Sequence, residues 1–241
     1  MKVAVILPAA GMGTRMGRSP AEKTGTSRKQ FMLLDGSPIL LHTIRKFVAA
    51  PQVHEIVVAL RPEDMNWVRE LIEQNRFPKP VRVVEGGNSR QQSVENALAT
   101  IEPGTDLVAV HDAVRPFIDL QTIEKVINTA AETGAAIVGI VPVDTVKQVQ
   151  KSKVTATIPR ERLTLAQTPQ VFRYELLREA FAKAREDGYI GTDESSLVER
   201  LEKAEVTVVL GSDRNIKITK PSDMDLARLF LAEEAAQTQA K

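Results

Sequence analysis

The 241-residue chain has no cysteine, which excludes a disulfide scaffold, a thiolate metal site and a cysteine nucleophile. It also lacks an excess of either charge. The formal net charge is +1, so no global field draws in nucleic acid or an anionic membrane, and any anion site must be local. Long hydrophobic runs are missing too. No window approaches the roughly 20 apolar residues that a membrane span needs. The opening MKVAVILPAAG imitates a secretory leader, with Lys2 ahead of apolar residues, but its apolar run is short and passes directly into a glycine-rich loop. The expectation is a soluble cytoplasmic protein without nucleic-acid or membrane partners. Hydrophobic residues make up 43% and charged residues 26%, as in an ordinary folded domain with a substantial core.

Apolar runs alternate with amphipathic stretches along most of the chain. Segments 3–7, 55–60, 81–84, 106–110 and 135–143, rich in Val and Ile, read as buried strands. Helical patterns occupy 38–49, 62–75, 90–100 and 120–133. Ser89 with Gln92 makes a capping box, and Asp119 caps the fourth pattern. This alternation predicts an α/β fold, a Rossmann-like and mostly parallel sheet with helices on both faces. The rhythm breaks at 144–163, a polar, Thr- and Val-rich stretch read as a protruding β-hairpin arm. Helices are expected again at 174–187 and 193–201, and strands at 206–210 and 216–219. A last helix, capped by Ser222 with Asp225, should end near Ala235. Without repeats or a long linker, the chain reads as one domain, 1–241, carrying the arm.

The first strand runs into LPAAGMGTRMG. Glycine-rich turns after a first strand usually hold phosphates, and three phosphate-loop templates bear on this one. The dinucleotide fingerprint G-x-G-x-x-G is met at Gly11 and Gly13 but fails at Met16. The P-loop pattern is absent, and the protein-kinase loop lacks its partner motifs. What remains is a glycine loop with its own cation. Backbone N–H groups line an anion nest, and Arg15 sets a guanidinium beside a phosphate chain, with Lys29 as a second charge. The alternative is a strand-to-helix turn with Arg15 in solvent.

The motifs PAAGMGTRM, KQF, GGNSRQQSV, HDAVRP, DTVK, RERLTLAQTPQVF, TDESSLVE and NIKITKPSDM follow one another in this order. Their ordered set resembles the 2-C-methyl-D-erythritol 4-phosphate cytidylyltransferase family, from Val3 to about Leu231. The resemblance implies transfer of CMP from CTP to a polyol phosphate, with release of pyrophosphate. The acceptor phosphate attacks the α-phosphorus directly, so catalysis is positioning and charge stabilisation.

Site residues follow from the resemblance. Arg15 and Lys29 would neutralise charge on the α-phosphate and leaving group, beside Gly11 and Gly13. The segment between Met16 and Lys29 is longer than usual and Arg28 stands where the family has proline, so Lys23 is the alternative lysine. Pro8, Ala9 and Ala10 would line the cytosine pocket, completed by Gly86, Gly87, Asn88 and Ser93, while Arg90 and Gln92 are read as facing solvent. Asp112, beside Ala113, would hold Mg²⁺ with phosphate oxygens and waters and contact the acceptor. His111 has no metal-site companions and reads as a packing residue; Arg115 braces its loop. Lys217 would orient the attacking phosphate. Thr145 and Arg160 would reach the acceptor in a neighbouring subunit's site, making a homodimer with exchanged arms, and Thr168 and Thr192 would shape that site. Thr164 stands where the family often has tryptophan. The competing readings are a ribitol 5-phosphate cytidylyltransferase, a sugar 1-phosphate nucleotidyltransferase and a non-catalytic nucleotide-binding module.

Overall fold

The computed structural model describes residues 1–11 and 28–239, with side chains as far as 236. Gly13, Arg15 and Lys23 lie outside the described residues. The first half of the chain runs β1 (Val3–Pro8), β2 (Leu33–Leu34), β3 (Ser37–Pro38), α1 (Ile39–Ala49), β4 (Val53–Leu60), α2 (Pro62–Asn75), β5 (Val81–Glu85), α3 (Arg90–Leu98), β6 (Leu107–Val110) and α4 (Leu120–Thr133). The second half runs β7 (Ala135–Ile140), β8 (Val146–Gln150), β9 (Lys153–Ile158), β10 (Leu165–Arg173), α5 (Tyr174–Glu186), α6 (Glu194–Glu199), β11 (Thr207–Leu210) and α7 (Pro221–Gln239).

Seven strands form the central sheet in the order β11-β7-β10-β6-β1-β4-β5. Every neighbouring pair is parallel except the two that involve β10. The apolar runs are continuous because both faces of the sheet are covered. Along β1 the side chains alternate: Val3, Val5 and Leu7 pack with Leu40, Ile44 and Phe47 of α1 and Val126 of α4. Ala4 and Ile6 pack on the other face with Val94 and Leu98 of α3 and Leu177 of α5. From β1 the chain builds β4 and β5 to one side, then returns to lay β6 on the other. Such a reversal leaves a crevice at the carboxyl ends of the two central strands, where open α/β sheets bind ligands.

The Asp119 cap forms as read, Oδ1 accepting from Thr122 N–H at 2.7 Å. Of the capping box the Ser89 half forms, its hydroxyl accepting from Gln92 N–H at 3.0 Å, while Gln92 Oε1 accepts from Asn88 N–H at 2.8 Å, one residue before the cap. The arm is the antiparallel pair β8–β9, exposed over most of its length.

Three expectations change. Residues 165–173, where no strand is expected, form β10, an antiparallel strand wedged between β6 and β7. Pro169 is uncharacteristic of an inner strand, since proline cannot donate to a ladder, and the register shifts between Ala166 and Gln170, around it. Residues 216–219 join no strand. That segment crosses the sheet end and touches the loop after β6 through Ile218 N–H, which donates to Val114 O at 3.0 Å. The last helix starts at Pro221, and the capping carboxylate is Asp223, which accepts from the N–H groups of Thr219 at 2.8 Å and Lys220 at 3.0 Å.

Candidate active site

The crevice at the ends of β1 and β6 is a cleft of about 270 Å³. One wall is the turn Pro8–Gly11. Facing it is the Gly86–Ser89 turn between β5 and α3, whose approach requires glycine: a Cβ on Gly86 would lie 2.7 Å from the Ala10 Cβ. Ser93 is buried and its hydroxyl is occupied, donating to Ser89 O at 2.8 Å and accepting from Gly87 N–H at 3.0 Å. It therefore shapes the turn. Asn88, Ala113, Lys29 and Lys217 also line the cleft, so lysines from opposite ends of the chain share one cavity. Arg28, next to Lys29, is paired with Asp64 and, at 2.9 Å, with Glu63, in the first turn of α2.

Behind Asp112 lies a second cleft of about 260 Å³, lined by Arg115, Gln167, Thr168 and Thr192. Arg90, Asp112 and Lys217 border both cavities. Asp112 Oδ2 is 2.8 Å from Lys217 Nζ and 3.4 Å from Arg115 Nε, and Oδ1 is 3.2 Å from Arg90 Nε. Burial would raise the Asp112 carboxyl, but Arg90, Lys217 and Arg115 together hold it far below the ordinary carboxylate range. Arg90 is in turn gripped by the buried Glu194 at 2.7 and 3.0 Å. Burial pushes the Glu194 carboxyl up against the pull of Arg90. For Arg90 the two carboxylates outweigh burial and raise its pKa. Burial lowers that of Arg115 in spite of Asp112.

The hub rests on His111. Its Nε2 is 3.0 Å from Arg115 O, which only accepts, so Nε2 carries the proton. Nδ1 is then the acceptor for the Thr168 hydroxyl at 3.1 Å, and that hydroxyl accepts from Asp112 N–H at 3.0 Å. Burial lowers the His111 pKa to about 4, in keeping with a neutral ring. Both bonding directions of the Thr168 hydroxyl are thus occupied within the protein. Lys217 is tethered separately: Asn215 Nδ2 donates to Gln167 Oε1 at 3.0 Å and to Thr168 O at 2.9 Å, while Arg115 Nη1 donates to Asn215 O at 2.7 Å.

Thr145 and Arg160 line neither cleft. Both are exposed at the arm, and Arg160 Nη1 donates to Val143 O at 2.6 Å. The expectation that Arg90 faces solvent is corrected, since it bridges Asp112 and Glu194. Its position in helix α3 resembles a surface position; only its partner, roughly a hundred residues onward, makes it part of the site. Gln30 and Arg61 are two further cleft residues that the pattern did not single out.

The expected Mg²⁺ at Asp112 would have to draw most of its ligands from phosphate oxygens and waters, because protein donors there are few. Asp112 is one carboxylate with both oxygens already facing cations, and the described residues hold no group of three or more His, Cys, Asp or Glu side chains arranged for a metal.

A switch-point crevice lined by Lys29, Arg61, Arg90 and Lys217, and sharing Arg90, Asp112 and Lys217 with a second cavity, suits an α/β enzyme of the nucleotidyltransferase class. The sequence profile described as IspD, 2-C-methyl-D-erythritol 4-phosphate cytidylyltransferase, matches residues 3–233, and the chain belongs to that family. Among its relatives are the enzymes of that name from Solibacter usitatus, 67% identical over 99% of both chains, and from Acidobacterium capsulatum, 51% identical over 98% of this chain and 100% of the other. The fold is likewise similar to the crystal structure of 4-diphosphocytidyl-2C-methyl-D-erythritol synthase from Anaerococcus prevotii, with a TM-score of 0.83 and 28% identity over 95% of this chain and 98% of that one. The Thermus thermophilus cytidylyltransferase superposes with a TM-score of 0.74 and 32% identity, again over 95% and 98%.

Proposed function

We propose that this protein transfers CMP from CTP to 2-C-methyl-D-erythritol 4-phosphate, releasing pyrophosphate, as a step in isoprenoid precursor synthesis. The observation that carries the reading is Lys217, which borders both cavities and is 2.8 Å from Asp112. A nucleotide in the first cleft and a polyol phosphate in the second would meet at that lysine. An acceptor phosphate oxygen attacks the α-phosphorus, the bond from that phosphorus to the bridging oxygen of the β-phosphate breaks, and pyrophosphate departs with the electron pair. No protein nucleophile is used.

Lys217 would exchange Asp112 for the attacking phosphate. Asp112 keeps Arg90 and Arg115 as counter-ions, so the exchange leaves no bare buried charge. Lys29, and Arg15 from outside the described residues, would neutralise charge on the triphosphate. Mg²⁺ would be held beside Asp112 largely by the triphosphate and waters, and would offset phosphate charge there.

The arm supports a homodimer. Val143 is 85% exposed, and Val149, Val154 and Leu165 are exposed too, which suits burial by a second copy. Thr145 and Arg160 would then serve the partner's acceptor site. The reading assigns the enzyme to the cytoplasm.

Pyrophosphate release from CTP, measured with each acceptor in turn, tests the proposal. The expected rate with 2-C-methyl-D-erythritol 4-phosphate is well above that with ribitol 5-phosphate. Equal or reversed rates would refute the acceptor assignment, and no release with any polyol phosphate would favour a non-catalytic nucleotide-binding module.

A further inference from the structure

Three consecutive carbonyls at the end of β1 are held by side chains from outside that strand. Gln30 Nε2 donates to Ala9 O at 2.6 Å and to Gly11 O at 3.2 Å. Arg61 Nε donates to Ala10 O, between them, at 2.9 Å. Gln30 is 2% exposed, so the amide group is committed to this task and not shared with solvent.

A trans peptide unit is planar, with its N–H opposed to its C=O. Fixing the Ala9 carbonyl therefore fixes the Ala10 N–H, and fixing the Ala10 carbonyl fixes the Gly11 N–H. Those two peptide planes form a wall of the first cleft. The wall has no polar side chain between Pro8 and Gly11, so whatever it recognises it recognises through the backbone. The base edges of cytosine and uracil differ in what they ask of a backbone. Cytosine offers an acceptor at N3 where uracil carries a proton. A peptide group free to rotate serves both; one held in a single direction discriminates.

The two holding side chains share one foundation. Arg61 is the residue immediately before α2. Gln30 sits in the turn Lys29–Phe31, which is clamped on α2 by Arg28 pairing with Glu63 and Asp64 and by Phe31 edge-on to Trp67, ring centroids 4.9 Å apart. The start of α2 thus sets the orientation of a wall that none of its own helical residues lines.

We infer that Gln30 and Arg61 are positioning residues for base recognition, holding the Ala9–Gly11 backbone in the one orientation that favours cytosine over uracil. The inference rests on the reading of the first cleft as the nucleotide site.

The test compares Gln30→Met, which keeps the side-chain length and removes the donor, with Arg61→Leu at a partly exposed position. Ala10→Val, which narrows the wall itself, is the third variant. KM and kcat are measured for CTP and for UTP, with thermal unfolding of the nucleotide-free protein alongside. Loss of a buried donor at this wall should raise KM for CTP about tenfold and lower the CTP-over-UTP preference, with kcat at saturating CTP changed far less. If Gln30→Met does not fold, Arg61→Leu carries the same expectation. Unchanged KM and unchanged base preference in both variants, with Ala10→Val crippling CTP use, would overturn the positioning role while leaving the site intact. Unimpaired CTP use by Ala10→Val would overturn the site reading and the inference with it.

Discussion

Lys217 Nζ lies 2.8 Å from Asp112 Oδ2, although Lys217 follows the edge strand β11 and Asp112 follows β6, with β7 and β10 between those strands in the sheet. The contact exists because residues 211–218 double back across the strand ends. Gly211 N–H donates to Gly139 O at 2.9 Å, Gln167 Nε2 to Ser212 O at 3.1 Å, and Ile218 N–H to Val114 O at 3.0 Å. The lysine is thus delivered by β7, β10 and the loop after β6 in succession, and its counter-ion by that same loop.

The buried His111 makes stability depend on pH. Its folded pKa of about 4 lies below the ordinary 6.5, so between those values the unfolded chain binds a proton that the folded one does not. Stability should fall as pH drops from about 6.5 towards 4, by on the order of 3 kcal/mol if this group acts alone. The unfolding midpoint followed against pH should show the decline, and His111→Gln should flatten it within that window. An equal slope in the variant would assign the effect to other groups.

Asp112→Asn separates two roles. As the shared counter-ion of three cations, Asp112 should cost on the order of 3 kcal/mol of stability when its charge is removed, visible in urea unfolding. If Mg²⁺ is held largely by the triphosphate and waters, the Mg²⁺ concentration giving half-maximal rate should stay within about twofold, a shift of less than ~0.5 kcal/mol. A tenfold rise in that midpoint would mean that the carboxylate supplies a main share of the metal's binding.

Mixed subunits test the arm. Arg160→Ala and Lys217→Ala proteins, each impaired alone, should regain activity when co-refolded, because a heterodimer with exchanged arms holds one site with both residues intact. Activity no greater than that of the separate variants would mean that the arm serves no partner.

Much of the fold was legible in the residues because local and global preferences agreed: Val- and Ile-rich runs, Ser89 and Asp119 as caps, a polar stretch at the arm. The Asp35–Gly36 turn between β2 and β3 was also within reach of the pattern, since both residues adopt the positive φ values, 48° and 74°, that Asp-Gly hairpin turns favour. Strand β10 was not legible, because a strand containing Pro169 is tolerated only where its two neighbours supply the ladder around a register shift. In the site, Gly11 was readable as part of a glycine loop and the Gly86–Ser93 turn through the family resemblance, whereas the pairing of Arg90 with Glu194 was not. Their pairing joins the starts of α3 and α6, and nothing local to either helix announces it. Segment 216–219 reads as a strand because apolar and polar residues alternate in it, but it joins no ladder, and Ile218 N–H instead donates to Val114 O in the loop after β6.

The most direct measurement is the turnover of Lys217→Met with CTP and 2-C-methyl-D-erythritol 4-phosphate, set beside its dissociation constant for CTP. If Lys217 acts on the attacking phosphate where the two clefts meet, kcat falls by about a hundredfold or more while CTP affinity stays within about threefold. Turnover close to that of the unaltered protein, or a loss accounted for entirely by weaker CTP binding, would contradict the account.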